Sequence, residues 1–543
     1  MSIMKKSVYI FAAALVALVA SCAKDDSTSF QIGIPDVRVA EDNAIKFKAG
    51  VESVYEPSIE WDGTSPEDYN YAWVMSTKNG RDTISTERIL KYTFGEISGT
   101  SADAILLSFL MEDKNTGLRF GQDYQITITT AFFLGWTVLS EGSDGSAHLS
   151  FIEMTSFESF PDVFAANYPG VSLGSKPRGL VFHGASKKDE ILVLKDDAEG
   201  PVELDGVSFA KVSALKDEFV GGELPSESGF AVNTVAYSHK GSELLLSKSG
   251  KIYERTTLSV TGSTYFFQDA LFSPAPFIHS SGQDYCATYY TFPGSASNHT
   301  LIWDDLNKRW MSYYNTSTTV YTVPVFSPGT CKFDAGYDYC NGMASDVQML
   351  YAQTYNEASH KPYLAAVYKK GGDYSLITCL CTYTTASAKM TVSNHKQASL
   401  NACGFDASTK FMMPRGASTS YANDVHIFFN VGKKLYFYRA SDAKAYLYRD
   451  FTVGSNLPKG DIVNIEQNGN ATQMAVSFSD GHVYIMDINK TKVTGLTNGN
   501  VDAANVEKNG LELAHISNIP GTIVNTIFKY GKAANFTGAK IAY

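Results

Sequence analysis

The chain has 543 residues and a formal charge of −11, with 45 Lys and Arg against 56 Asp and Glu and no basic block. That balance excludes nucleic acid as a main partner, because affinity for phosphates comes from clustered Lys and Arg. Aromatic residues make up 13% of the chain, chiefly 32 Tyr and 32 Phe, which suits β-structure and, at this length, two domains with large cores.

The chain opens as an export signal. Met1–Lys6 supplies two positive charges, Val8–Ala20 runs apolar for 13 residues, and small residues follow at Ala20-Ser21-Cys22. A transmembrane anchor needs about 20 apolar residues, so this run is too short to be one. Val19-Ala20-Ser21-Cys22 resembles the bacterial lipobox, which implies that 1–21 is a signal peptide and that the Cys22 thiol carries lipid. A thiolate is a good nucleophile at modest pH, and several acyl chains together anchor stably where one would not. Residues 22–30 then form a lipidated tether. Ala23-Lys24-Asp25-Asp26 resembles the charged export signal of Bacteroidetes surface lipoproteins, so Lys24, Asp25 and Asp26 imply an outer-membrane protein facing the cell exterior. Removing Lys5 and Lys6 with the signal takes the charge from −11 to −13.

Residues 31–131 read as a β-sandwich of PKD/Ig type. Strands are expected at Ala44–Lys48, Tyr69–Ser76, Ala104–Glu112 and Gln122–Ala131; in the last, Tyr124, Ile126 and Ile128 alternate with Gln125, Thr127 and Thr129. Asn79-Gly80 marks a hairpin turn. Trp73 lies mid-strand and is assigned to the core, whereas Trp61, in a turn-like stretch, is assigned to the surface.

From residue 132 to 543 a pattern of two apolar strands around a polar turn recurs seven times. The turns fall at Asp144-Gly145, near Ala198, at Ser249-Gly250, near Ser295, and at Gly371-Gly372, Gly432 and Asp480-Gly481. The mean spacing of about 56 residues suits β-propeller blades, whose repeats run to roughly 40–50 residues before loops are added. Strands such as Val483–Ile488 are apolar on both faces, as sheets packed between sheets require. The expectation is an all-β chain with a sandwich followed by a propeller of seven blades, eight being the alternative if the long 295–371 interval hides one more. Thr522–Tyr530 is available to close the ring against the first blade.

Gly135-Trp136-Thr-Val-Leu-Ser-Glu with Leu149–Ile152, Tyr71-Ala-Trp73, Ile84-Ser-Thr86 and Ile302-Trp-Asp-Asp-Leu-Asn-Lys-Arg-Trp310 together resemble the PKD-like family lipoproteins of Bacteroidetes. The resemblance implies an N-terminal PKD-like sandwich, a C-terminal propeller-like region, and association with SusC/SusD-type uptake systems. Its motifs are structural and name no catalytic residue.

No local catalytic signature is present. Gly170-Val-Ser172-Leu-Gly174 matches the nucleophile-elbow pattern, but Pro169 and Lys176-Pro177 flank it and no helix is expected after it. The acidic pairs Asp196-Asp197 and Asp304-Asp305 are sequence neighbours, which point to opposite faces of a strand and cannot flank a glycosidic bond. The histidines are scattered without metal spacing, and no CxxC, EF-hand or P-loop occurs, so no metal or cofactor is expected; calcium held by irregular carbonyl-rich loops would leave no motif. Cys286, Cys331, Cys340, Cys379, Cys381 and Cys403 are read as buried thiols or as one to three disulfides, with Cys331 and Cys340 able to close a loop.

The ligand-contact candidates are Trp303, Asp304, Asp305 and Trp310, with Trp61 beside them, because indoles and carboxylates together suit sugar recognition; a hairpin turn with packed indoles is the competing reading. The leading function is a surface-exposed, non-catalytic binding or accessory lipoprotein of a SusC/SusD-type glycan or peptide uptake system. Its alternatives are a propeller enzyme (glycosidase, lyase or esterase) drawing acids from different blades, and a structural or docking lipoprotein.

Overall fold

In the computed structural model the described residues run from 37 to 529, excluding 41–44, 95–104, 184–189, 238–241, 257–272, 275–286, 292–297, 316–336, 357–361, 385–388, 415–423, 498–510 and gaps of one to three residues. Cys22, Lys24, Asp25 and Asp26 lie outside them, as do Cys286 and Cys331. The chain divides into two compact units, one built from 52–93 and 102–127 with the preceding residues to 47, the other chiefly from 128 onward.

The first unit is β-sandwich-like. A five-stranded sheet runs in the order Ile45–Ala49, Arg119–Thr130, Ile105–Asp113, Tyr69–Thr77 and Gly80–Ser85, and Glu52–Tyr55 pairs separately with Leu90–Thr93. Alternation decides which side chains go inward: Leu107, Phe109 and Met111 are buried from one strand, Tyr124 and Ile126 from its neighbour, while Gln125 is exposed. Trp73 is completely buried in the middle of this core. Its ring lies 4.6 Å from Phe109 and 5.9 Å from Tyr55, and its Nε1 donates to the Glu87 carbonyl at 3.0 Å. An indole fills the core here because its polar edge finds a backbone acceptor.

The second unit is a propeller with seven sheets among the described residues, and each expected hairpin belongs to a different one. Blade 1 is Gly135–Glu141, Ala147–Glu153, Ser159–Phe160 and the C-terminal Thr522–Lys529. Blade 2 is Pro177–His183, Glu190–Lys195, Val202–Asp205 and Lys211–Ala214. Blade 3 is Val232–Tyr237, Ser242–Ser247, Ile252–Thr256 and Ser273–Pro274. Blade 4 is Ala287–Thr291, Asn298–Asp304 and Arg309–Asn315, and the long interval after it shows a short helix, Asp338–Asn341, with no further sheet among the described residues. Blade 5 is Val347–Asn356, Pro362–Lys370, Asp373–Thr384 and Lys389–Ser399. Blade 6 is Phe411–Met412, His426–Val431, Lys434–Arg439 and Lys444–Asp450. Blade 7 is Ile462–Gln467, Gln473–Phe478, Val483–Asp487 and Glu512–Ile516.

The double-sided apolar strands follow from this order. Ile191 and Val193 of blade 2 pack with Leu149 and Phe151 of blade 1, whereas Leu192 and Leu194 of the same strand pack with Leu245 and Tyr253 of blade 3. The same alternation joins blades 4 to 5, 5 to 6, 6 to 7, and 7 back to 1, where Ala475, Val483 and Ile485 meet Trp136 and Val138. Alternate residues of one strand thus face different neighbouring sheets, and burying one contributes roughly 1.5–3 kcal/mol. Blade 1 is completed by the far end of the chain: Thr522–Lys529 pairs antiparallel with Gly135–Glu141, Trp136 opposite Phe528 with ring centroids 5.1 Å apart. Gly135 permits that sheet to be so tight, since a Cβ there would come within 2.1 Å of the Ile152 carbonyl oxygen.

Candidate functional site

The hairpin singled out for sugar contact is core. Trp303 and Trp310 face each other across adjacent strands of blade 4, each 1% exposed, with ring centroids 5.4 Å apart. Trp303 Nε1 donates to Asp305 Oδ1 at 2.9 Å, and Trp310 Nε1 donates to the Tyr368 hydroxyl of blade 5 at 2.6 Å. Asp304 is buried and accepts from the Asn307 backbone N–H at 3.0 Å, from Asn307 Nδ2 at 2.8 Å and from Arg309 Nε at 3.1 Å. Asp305 also takes the Lys308 ammonium at 2.9 Å. A buried carboxylate must be satisfied internally, so these acids spend their acceptors on the turn and the rings keep no face for a ligand. The assignment of Trp303, Asp304, Asp305 and Trp310 to ligand contact is therefore corrected to a packed-indole hairpin. Trp61 is half-buried against Tyr69, with centroids 5.6 Å apart, and is less open than a turn position implied.

The elbow-like Ser172 is exposed, its Oγ accepts from the Gly174 N–H at 3.1 Å, and no helix follows it. Asp197 takes backbone N–H groups of Ser175, Glu199 and Gly200 together with the buried Lys195 ammonium, a turn lock rather than an acid–base pair. Cys340, Cys379, Cys381 and Cys403 are buried thiols, and burial pushes the Cys403 thiol up to about 11, which makes it inert. Among the described residues no three His, Cys, Asp or Glu side chains are placed to hold a metal ion.

Three side-chain groups that sequence reasoning passed over are assembled by the fold. The first is a ring platform at the outer edge of blade 5. The half-exposed Tyr337 and His395 rings stack at 4.4 Å, Tyr339 stacks on Tyr337 at 5.3 Å, and the Tyr339 hydroxyl meets His395 Nδ1 at 3.1 Å. A β-bulge aims this histidine: Thr378 pairs with Lys396 and Leu380 with Ser393, so Cys379 opposes both Asn394 and His395, and Asn394 takes a φ of +51°. Asn394 Nδ2 donates to the Tyr363 hydroxyl at 3.0 Å, and Tyr363 stacks on Tyr355 at 5.4 Å.

The second is on blade 7, where His482 Nδ1 and His515 Nε2 share a hydrogen bond of 2.8 Å and Tyr484 stacks flat on His515 at 4.0 Å. Burial and then the neighbouring His482 hold the His515 imidazole below its ordinary range. The third is on blade 1. His148 Nδ1 lies 2.7 Å from Asp162 Oδ2, and His148 Nε2 lies 3.0 Å from Ser146 Oγ. A carboxylate only accepts, so in the neutral ring the proton sits on Nδ1 and Nε2 turns its lone pair toward the hydroxyl. That hydroxyl is shared, because Asp144 Oδ1 is 2.5 Å from the same Oγ and also accepts the Ser146 N–H. The only advance signal was Ser146-Ala147-His148, whose spacing of two places both side chains on one strand face.

The PKD-like family model matches residues 34–177. The match covers the sandwich strands and continues through the first three strands of blade 1, including the Gly135–Glu141 stretch. No curated protein matches the chain. Among solved structures, the chain is similar to a quinonprotein alcohol dehydrogenase-like protein from Bacteroides thetaiotaomicron, at 11% identity and a TM-score of 0.39 over 91% of this chain and 99% of that one. It is also similar to the β-propeller domains of Vanderwaltozyma polyspora Nup133 and Myceliophteria thermophila Cps50 (Swd1). Each of these is 10% identical, with a TM-score of 0.34, over 65% of this chain and 91% of theirs. At such identities nothing of those proteins' activity passes to this chain.

Proposed function

We propose that the protein is a lipid-anchored binding or accessory component of an outer-membrane glycan or peptide uptake system of SusC/SusD type, held by Cys22 and turned outward by Lys24, Asp25 and Asp26. The blade 5 platform carries this reading. Half-exposed stacked rings offer flat apolar area at low entropic cost, the kind of surface on which a sugar or an extended peptide can lie. The PKD-like match and the all-β architecture support an accessory role, and the lipobox-like segment supports the anchor.

The test is a glycan and peptide array probed with the full chain in detergent, beside Tyr337→Ala and His395→Ala. Binding that falls at least tenfold in both variants is expected. Binding indifferent to both would remove the platform from the reading, and silence across the array would favour a docking role. For the anchor, replacing Lys24, Asp25 and Asp26 with Ala is expected to leave lipidation intact and to reduce protease accessibility on whole cells.

A further inference from the structure

We infer that Ser146, His148 and Asp162 form an acyl-transfer site on blade 1 that takes carboxylic esters, an activity separate from the binding role above. Ser146 is the nucleophile, His148 the general base and Asp162 a positioning residue. The distances are those of a working relay: 3.0 Å from Oγ to Nε2 and 2.7 Å from Nδ1 to the Asp162 carboxylate. The side chains of His148 and Asp162 are 28% and 26% exposed, so the relay meets solvent.

Two observations separate it from a simple turn lock. The turn is already complete without the imidazole: Asp144 holds both the N–H and the hydroxyl of Ser146, Gly142 N–H donates to the Ser146 carbonyl, and Gly145 N–H donates to the Gly142 carbonyl. Asp162, in turn, precedes the short helix Val163–Asn167, where an aspartate ordinarily caps, yet makes no cap bond with its side chain. It sits instead at a φ of +44°, its N–H held by Ser150 Oγ at 3.0 Å, and gives its carboxylate to His148. Non-glycine residues adopt that region at a cost that clusters at functional sites.

A Cβ on Gly142 would lie 2.7 Å from both His148 Nε2 and Ser146 Oγ, nearer than side-chain atoms pack, so glycine is what lets the turn backbone pass this close to the relay. In the forward half-reaction the bond from Ser146 Oγ to the acyl carbon forms, the hydroxyl proton passes to Nε2, and the ester C–O bond breaks as that proton leaves on the alcohol. Water then attacks the acyl-serine, gives a proton to Nε2, and releases the carboxylic acid as the proton returns to Oγ. Asp144 competes with His148 for the hydroxyl proton and so holds the nucleophile back.

The experiment treats the full chain in detergent with an alkyl fluorophosphonate and maps the adduct by mass spectrometry, with p-nitrophenyl acetate hydrolysis in parallel. The adduct is expected on Ser146, together with turnover of the acetate. Ser146→Ala should abolish both readouts and His148→Ala should slow both by about 100-fold or more. Asp144→Ala should speed labelling by freeing the proton for His148, and Asp162→Asn should lower the plateau and move the pH midpoint of labelling downward. Ser146→Cys adds a measurement that needs no ester. Its thiol should react with iodoacetamide with a midpoint well below the ordinary value of about 8.5 if His148 acts on this position. No adduct on Ser146, acetate turnover unchanged in Ser146→Ala, or an ordinary midpoint in Ser146→Cys would each overturn the assignment.

Discussion

Blade 4 and blade 1 both present a polar hairpin flanked by aromatic strands, and they use its polar groups in opposite ways. In blade 4 the fully buried Asp304 and the partly buried Asp305 are consumed by Asn307, Lys308, Arg309 and the Trp303 indole, beside a closely packed junction with blade 5. In blade 1 the acid of the turn, Asp144, fixes Ser146 from the outside, while His148 and Asp162 remain at the solvent edge. A chemically suggestive sequence is thus spent on structure, and a bland one yields reactive geometry. What distinguishes them is burial, since a carboxylate deprived of water has to recruit every donor within reach.

Four measurements would break or sharpen that contrast. The largest effect is expected from ending the chain at Gly521. This strips the inner strand from blade 1, uncovers Trp136 and Val138, and should abolish cooperative unfolding of the propeller unit in calorimetry, whereas blade 4 takes no strand from so far along the chain. Next, Trp303→Ala or Trp310→Ala should cost about 3–5 kcal/mol in denaturant unfolding, as removal of a fully buried indole does. A cost below about 1 kcal/mol would return these rings to the list of surface candidates. Asp304→Ala should cost about 1–3 kcal/mol by orphaning the turn N–H and Arg309, whereas Asp144→Ala, at an exposed turn, should cost less.

The smallest effect is a pH dependence. Because burial depresses His515 and His426 in the folded chain, the unfolded chain binds more protons once pH falls below about 6.5. Their contribution is full above that pH and declines as pH drops from it toward the folded values. His515→Gln should flatten the fall in melting temperature between pH 7 and pH 5, and an unchanged slope would show that His515 contributes none of it.

The hairpins were legible because a strand packed between two sheets must be apolar on both faces and a turn must be polar, so seven apolar–polar–apolar repeats mark seven sheets wherever they fall in space. Trp73 was legible for the same reason, being a large ring amid alternating residues of one strand. The blade 5 platform was not, because His395 reaches Tyr337 through a bulge that shifts register by one residue, and alternation carries no trace of that shift. The site on blade 1 was legible only in its Ser146-Ala147-His148 half; Asp162 lies 14 residues beyond His148 and arrives through a left-handed backbone position that composition does not encode.

By itself, then, the sequence determined the all-β class and the repeat that makes a propeller, since each rests on local periodicity or on short contiguous patterns. Tertiary structure decided which rings are buried, which acids are consumed, and that residues 522–529 rather than a neighbouring segment complete blade 1. Those outcomes depend on which surfaces meet after the ring closes. A side chain's access to water is a property of that whole packing and not of its neighbours in the chain.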